Sequence, residues 1–343
     1  MIDWDCVGQW LAAAIGAPAP LTADVVGGPA STGYSAETVI FEAAGRRWVL
    51  RAETPDPAVY PAQADGMGVE IEIQWRVMAA LAKAGGVPVA NIVGGSLDPA
   101  VIGAPFFVME FVEGEVPAVD PPYTVAGFFA SASAPERASM LADGLGVLAR
   151  VHAVDWRSAG LAWLVPLGAE PTMGRQLDVW EAYSRAELGG RRHELLDRAL
   201  DVLHRHLPAG SEPALCWGDP RPGNMIWSGF RCVCVTDFEA AAVAPPEVDL
   251  GWWLMFDRTC HEVVGAPRLA GEPSREEQAA LYGAAAGRDV GDTRLYEVFA
   301  AARYCGIVVR VMNRAVARGH VPADHTVWRD NPASAALAQL LDG

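Results

Sequence analysis

Along this chain the apolar positions change their rhythm about one third of the way in. Ala23 to Gly33 has the Gly, Pro, Ser and Thr content of a turn, Thr38 to Ala43 reads as extended, and Arg47 to Arg51 reads as its return strand. A hairpin with a glycine-rich tip is therefore expected. Thr54 to Gly68 holds three prolines, two glycines and two aspartates and reads as a loop. From Val69 to Ala84, Ile73, Val77, Ala80 and Leu81 recur at helical spacing. Gly103 to Val112 is an apolar strand that runs into Glu113-Gly114, and beyond it helical patterns dominate. Ala138 to Val154 carries Met140, Leu141, Leu145, Leu148 and Val151 on one side, and Tyr296 to Arg318 carries Val298, Ala301, Cys305, Val309 and Met312. Only short strands interrupt, near Leu215 and over Arg231 to Thr236. Strands first and helices afterwards predict an α+β protein of two unequal lobes, 1–112 and 113–343, joined by a hinge at about 109–114.

Composition narrows the partners. The 343 residues are 51% hydrophobic, enough for a well-buried core. Acids outnumber bases 42 to 26, for a net charge of −16, and such a surface repels phosphate backbones and anionic lipid heads. Neither nucleic acid nor membrane is expected as a partner. The N-terminus reads Met-Ile-Asp-Trp-Asp-Cys, with acids where a secretory leader carries positive charge, and no apolar run approaches the ~20 residues of a membrane span, so a cytoplasmic location is expected. The six cysteines, Cys6, Cys216, Cys232, Cys234, Cys260 and Cys305, lack metal-ligand spacing and suit reduced thiols. Cys232 and Cys234 share one face of a strand and are expected to pack.

The chemistry lies in Cys216-Trp217-Gly218-Asp219-Pro220-Arg221-Pro222-Gly223-Asn224 and in Val235-Thr236-Asp237-Phe238-Glu239. An Asp, an Asn five positions on and a second Asp at the end of an apolar strand supply one acid for a nucleophile and two oxygen ligands for a hard cation. Phosphoryl transfer needs such a set, because it is mostly positioning plus neutralisation of charge on phosphate oxygens. Any one of these residues alone would be a polar turn or an acidic strand cap.

With these motifs the chain resembles the aminoglycoside-phosphotransferase family, whose pattern is His-Gly-Asp, four variable positions, Asn, then Asp-x-Glu after a strand. Weaker matches extend over about 300 residues: the loop Gly27 to Thr38, the strand ending at Arg51, Met109-Glu110-Phe111-Val112-Glu113-Gly114, Leu148-Ala149-Arg150-Val151-His152 and Pro246-Glu247-Val248-Asp249-Leu250. The resemblance implies a protein-kinase-like fold and a magnesium- and ATP- or GTP-dependent transfer of a phosphoryl group to a hydroxylated small molecule. It places Asp219 at the acceptor hydroxyl, Asn224 and Asp237 on magnesium, and Glu239 beside the metal or the hydroxyl. On the nucleotide it places Gly28, Ser31, Gly33 and Ser35 of the hairpin tip, Glu110 and Val112 of the hinge, and Arg51, where related kinases carry lysine. A guanidinium there can grip phosphate oxygens bidentately. Of the acids on the following helix, Glu70 and Glu72, we assign Glu72 as the partner of Arg51, although Gln74 stands where the family often has Glu.

Trp217 replaces the family's histidine before Gly-Asp. His152 reads as a satisfied core histidine, and Asp249, by the resemblance, braces the catalytic loop. Arg303, Arg310, Arg314 and Arg318 form a basic stripe that either contacts the acidic surface or anchors an anionic acceptor. Glu239, Glu247, Asp257 and Glu262 could line a pocket for a polycation, whereas the arginines and Trp217, Trp227, Trp252 and Trp253 suit a partly apolar acceptor with an anionic end, such as a hydroxyacyl compound. Two other functions fit the same fold: a nucleotide-binding regulator without turnover, and a nucleotidyl transferase.

Overall fold

The computed structural model describes residues 2–28, 36–63 and 68–342. Five antiparallel strands build the smaller lobe: β1 (Asp24–Gly27), β2 (Ala36–Ala43), β3 (Arg46–Glu53), β4 (Ile92–Ser96) and β5 (Phe106–Glu110), in the spatial order β1-β2-β3-β5-β4. The expected hairpin is β2–β3, closed by Ala44 and Gly45, both at positive φ, which matches the twist of a two-residue connection. Side chains alternate across β3. Trp48 and Leu50 pack with Phe41, Phe106 and Val108 under a helix, α1 (Trp4–Ile15), through its Val7 and Leu11. Val49 joins the opposite face, with Phe107, Ile71 and Val77, and Arg51 shares that face by the same alternation.

That second face is covered by α2 (Glu70–Ala84), whose inward residues are Glu70, Ile71, Ile73, Gln74, Val77, Met78 and Leu81. Glu110 and Phe111 tie the end of β5 to its neighbours, through Glu110 N–H to Asn91 O (2.9 Å) and Phe111 N–H to Arg47 O (3.3 Å). The chain then passes against the larger lobe, where Glu115 and Trp227 exchange two backbone hydrogen bonds of 2.8 Å. Gly114 permits this crossing, since a Cβ there would lie 2.5 Å from Ile226 Cγ2 and 2.6 Å from Trp227 O.

The larger lobe is helical: α3 (Phe128–Ser131), α4 (Ala134–His152), α5 (Met173–Leu188), α6 (Glu194–Arg205), α7 (Glu247–Arg258), α8 (Arg275–Ala286), α9 (Arg294–Ala317) and α10 (Pro332–Asp342). Ser133 and Glu136 form a reciprocal capping box with Pro135 in the first turn, which starts α4 four residues before the apolar stripe announces it. Helix α9 is the central post, packed against α5, α6, α7 and α10. Two small antiparallel pairs sit between helices and the cleft: β6 (Ala214–Cys216) with β9 (Ala242–Ala244), and β7 (Met225–Ser228) with β8 (Arg231–Val235). Along β8, Cys232 and Cys234 are both buried and face the core, and all six cysteines are free thiols.

Several elements depart from the sequence reading. Helix α1 lies in the third expected to be strands, Asp24–Gly27 is a strand within the stretch read as a turn, and β4, β7 and β9 were not expected. Each of these strands has five residues or fewer, too short for a periodic signal. Met312 is only half-buried, at the edge of the α9 stripe. No helix among the described residues is long and apolar enough to cross a membrane.

Candidate active site

The site starts from a buried carboxylate. Asp249, on the first turn of α7 and fully buried, accepts Trp217 N–H at 2.6 Å and Gly218 N–H at 3.0 Å. His152 Nε2 lies 3.1 Å from the same carboxylate, and His152 Nδ1 lies 2.7 Å from Tyr282 Oη. A carboxylate in this setting is tolerable only when its lone pairs are filled, and here three donors fill them. Gly218 adopts φ 93°, and a Cβ there would stand 2.1 Å from Ala240 O, so only glycine fits between the two loops. Trp217 does the work of a brace: its indole N–H donates to Thr236 O (2.7 Å) and Asp237 O (3.1 Å).

This scaffold presents Asp219. Trp252 Nε1 donates to Asp219 Oδ1 at 2.6 Å, and Asn224 Nδ2 donates to Asp219 Oδ2 at 2.8 Å and to its main-chain oxygen at 3.0 Å. Arg221 Nε bridges both carboxylate oxygens at 3.1 and 3.3 Å. The Tyr60 hydroxyl stands 3.5 Å from Oδ2, at the long limit of a hydrogen bond. Opposite, Thr236 N–H and Oγ1 hold Asn224 O at 3.0 and 3.1 Å, which joins the Asn224 turn to the end of β8. Asp237 follows with φ 60°, a left-handed conformation that is uncommon outside glycine and concentrates where a side chain must be aimed.

Arg51 reaches this group from β3. Its Nη1 donates to Asp237 Oδ1 at 2.7 Å, and its Nη2 lies 3.9 Å from Glu239 Oε2. Burial opposes its charge, but Asp237 and Glu239 outweigh burial and hold it above the usual guanidinium range. The set fits a hard divalent cation. Asn224 commits its amide nitrogen to Asp219, so its amide oxygen is what it offers, and Asp237 keeps a second carboxylate oxygen on its cleft-facing side chain.

Other assignments shift. Glu72 is not the partner of Arg51: it points outward and accepts from Arg76, one turn on, at 3.1 Å. Asp237, from 186 residues away, takes that place. Glu70 faces inward, where Oε1 accepts Val59 N–H (2.7 Å) and Tyr60 N–H (3.2 Å). Burial, with a contribution from Glu53, pushes its carboxyl up to about 7. Glu110 turns its side chain to Arg46 and spends its N–H on Asn91, so its carbonyl is what it can offer a ligand, while Val112 packs on the main core. Gly28 is exposed at the end of β1, and Ser31, Gly33 and Ser35 lie outside the described residues.

The basic stripe is buried at Arg303 and Arg314 and reaches the surface at Arg318. Arg303 is buried between Trp180 and Trp252, 4.4 and 4.6 Å from the ring centres, and donates to Gly218 O at 2.9 Å. Arg310 donates to Ala58 O and Glu187, and Arg318 pairs with Asp56. The carboxylates named for a polycation each face an arginine: Glu239 faces Arg51, Glu247 Arg288, Asp257 Arg268 and Arg275, and Glu262 Arg275. Of the neighbours of Asp219, Tyr60 was missed by sequence reasoning, and Trp252 was named for an acceptor but not as a partner of Asp219. For Trp252 a signal existed, because it lies three residues after Asp249 on one helix and therefore on the same face.

Comparison with known proteins agrees with this architecture. Over 224 residues the chain is 29% identical to mouse acyl-CoA dehydrogenase family member 10, an alignment that covers 64% of this chain and 19% of that protein. The chain thus corresponds to about a fifth of that relative's length. Its fold superposes on the crystal structure of a Ralstonia eutropha protein assigned as an aminoglycoside phosphotransferase, with TM-score 0.74, 24% identity and coverage of 99% and 97% of the two chains. It also superposes on APH(2″)-IIa, solved as a ternary complex with streptomycin and ATP, with TM-score 0.56, 15% identity and coverage of 90% and 91%. The kinase-like two-lobed fold is common to all three structures, and the sequence profile of the phosphotransferase enzyme family matches residues 27–297, which carry Arg51, Asp219, Asn224 and Asp237; the chain belongs to that family.

Proposed function

We propose that this protein is a magnesium-dependent O-phosphotransferase that moves the γ-phosphoryl group of ATP or GTP to the hydroxyl of a small molecule. The convergence of Asp219, Asn224, Asp237 and Arg51, from three segments of the chain, is the observation that carries this reading. Asp219 orients the acceptor hydroxyl. As the acceptor oxygen bonds to the γ-phosphorus and the bond to the β,γ-bridging oxygen breaks, the nucleoside diphosphate leaves and the acceptor proton passes to Asp219. Arg51 clamps phosphate oxygens, and Glu239 beside it helps to fix that guanidinium. Magnesium, held by Asn224 and Asp237, supplies charge neutralisation at the phosphates. Glu110 and Val112 meet the base through their main chain, within a hinge at about 109–114 between lobes 1–112 and 113–343. Free thiols and an acid-rich surface suit the cytoplasm.

For the acceptor, the side of Asp219 that holds Trp252 continues into Phe256 and Tyr304, with ring centres 5.0–6.1 Å apart. Such a wall favours a partly apolar hydroxylated molecule, and the arginine-paired carboxylates argue against a polycation, because a desolvated unmatched charge costs several kcal/mol. The name of the mouse relative, an acyl-CoA dehydrogenase, directs the choice to hydroxyacyl compounds. The test is substrate-dependent release of ADP or GDP across hydroxylated acyl compounds and kanamycin- or streptomycin-type aminoglycosides, with phosphate on the product hydroxyl. Release of pyrophosphate instead would make the enzyme a nucleotidyl transferase. Catalytic efficiency above ~10⁴ M⁻¹s⁻¹ on aminoglycosides would overturn the acceptor assignment.

A further inference from the structure

The loop 54–63 belongs in sequence to the smaller lobe and in packing to the larger one. Val59 is buried in the larger lobe's core among Met173, Leu177 and Trp180. Ala58 O takes two bonds from Arg310, at 3.0 and 2.8 Å, and Gln63 Oε1 takes one from Gln176 at 2.9 Å. Tyr183 Oη donates to Val59 O, and Arg318 holds Asp56. Pinned on both sides, this strap fixes the backbone of Tyr60 and aims its ring at the catalytic loop.

The lone pairs of Asp219 define what is left for an incoming hydroxyl. Oδ1 is filled by Trp252 and Arg221, and Oδ2 receives Asn224 and the longer arm of Arg221. The longest contact on Asp219 is that of Tyr60 Oη with Oδ2, at 3.5 Å, so it is the one an incoming hydroxyl replaces most easily. Burial, and after it the charges of Asp219 and Glu239, keeps this phenol protonated and thus a donor. Tyr60 as a whole is partly buried and packs against the larger lobe's core. A long contact at the hydroxyl and a pinned backbone behind it describe a side chain whose hold on Asp219 can be given up while the strap stays in place.

We propose that Tyr60 is a stand-in for the acceptor: its hydroxyl holds the acceptor's place at Asp219, excludes water there, and is displaced when an acceptor hydroxyl enters. This rests on the phosphotransfer reading above. Without such a plug, water is itself an acceptor: its oxygen bonds to the γ-phosphorus, the bond to the bridging oxygen breaks, nucleoside diphosphate leaves, and a water proton goes to Asp219.

The test is hydrolysis of MgATP and MgGTP by the full chain with no acceptor added, for wild type, Tyr60→Phe, Tyr60→Ala and Asp219→Ala/Tyr60→Ala. Tyr60→Ala is expected to raise hydrolysis at least tenfold, Tyr60→Phe two- to fivefold, and the double variant to return to background. Tyr60→Phe keeps the ring and its packing, so a poorly folded alanine variant does not remove the test. Nucleotide binding without any rise in either single variant would overturn the plug alone, as would a rise that survives loss of Asp219. If calorimetry finds that the wild type binds neither MgATP nor MgGTP, the phosphotransfer reading fails, and the plug with it.

Discussion

The two sides of the cleft are built in different ways. On the Asp219 side, the bonds that shape the loop tie Trp217 and Gly218 to Asp249 and Asp219 to Trp252, all within the larger lobe. On the Arg51 side, the deciding contacts span the chain: 186 residues from Arg51 to Asp237 and 252 from Ala58 to Arg310. The first arrangement is a platform set when the larger lobe folds. The second forms only when the lobes meet, and in the proposed reaction it is the side that takes the nucleotide.

That contrast can be tested in order of expected effect. Asp219→Ala should lower acceptor-dependent transfer by about 10³-fold or more while nucleotide affinity stays within a few-fold, because Asp249 still holds the platform. Steady-state rates and nucleotide titration would check it, and a large loss of affinity would place Asp219 on the nucleotide side instead. Asp249→Ala strands two buried N–H groups and His152, and should destabilise the fold by about 3–5 kcal/mol in denaturant melts. A loss below ~1 kcal/mol would mean that the platform is less self-contained than its bonds imply.

Across the cleft, Asp237→Ala should weaken binding of the magnesium nucleotide about tenfold or more, with EDTA abolishing transfer by the wild type. Arg51→Lys should retain part of that affinity and Arg51→Ala should not, since lysine keeps the charge and loses the fork. Equal wild-type binding in both variants would take Arg51 out of the site. The smallest effect concerns Glu70. Its carboxyl is pushed up to about 7 in the fold, so the folded state holds a proton that the unfolded chain releases near 4.5, and stability falls as pH rises between those values. Glu70→Gln still accepts the Val59 and Tyr60 N–H groups and should lose that slope, a difference on the order of 1–3 kcal/mol between pH 4.5 and 8 in thermal melts. Parallel curves would show that Glu70 does not titrate there.

What could be read from the sequence follows the same division. Asp219 and Asn224 lie five residues apart, and Asp237 ends a strand that the apolar pattern announces, so the platform was legible from local spacing. The partner of Arg51 was not. Glu70 and Glu72 are separated by about 200° around a helix, and with Gln74 and Arg76 nearby the pattern does not fix which acid turns inward. The arginine stripe of α9 was visible as a stripe, but its targets, Gly218 O, Ala58 O and Asp56, belong to distant segments that no helical periodicity reveals. Tyr60 had no signal at all, because its role depends on a proline-rich loop crossing to the other lobe.

The tryptophan before Gly218 carries a consequence for acidic conditions. A histidine in that position could change charge and tautomer between pH 5 and 8, and with it the strength of its grip on the neighbouring carbonyls. An indole N–H has no such equilibrium: it donates at every pH at which the protein is folded. The joint between Trp217 and the carbonyls of Thr236 and Asp237 therefore contributes no titration of its own and adds nothing to an acid limb in a rate profile.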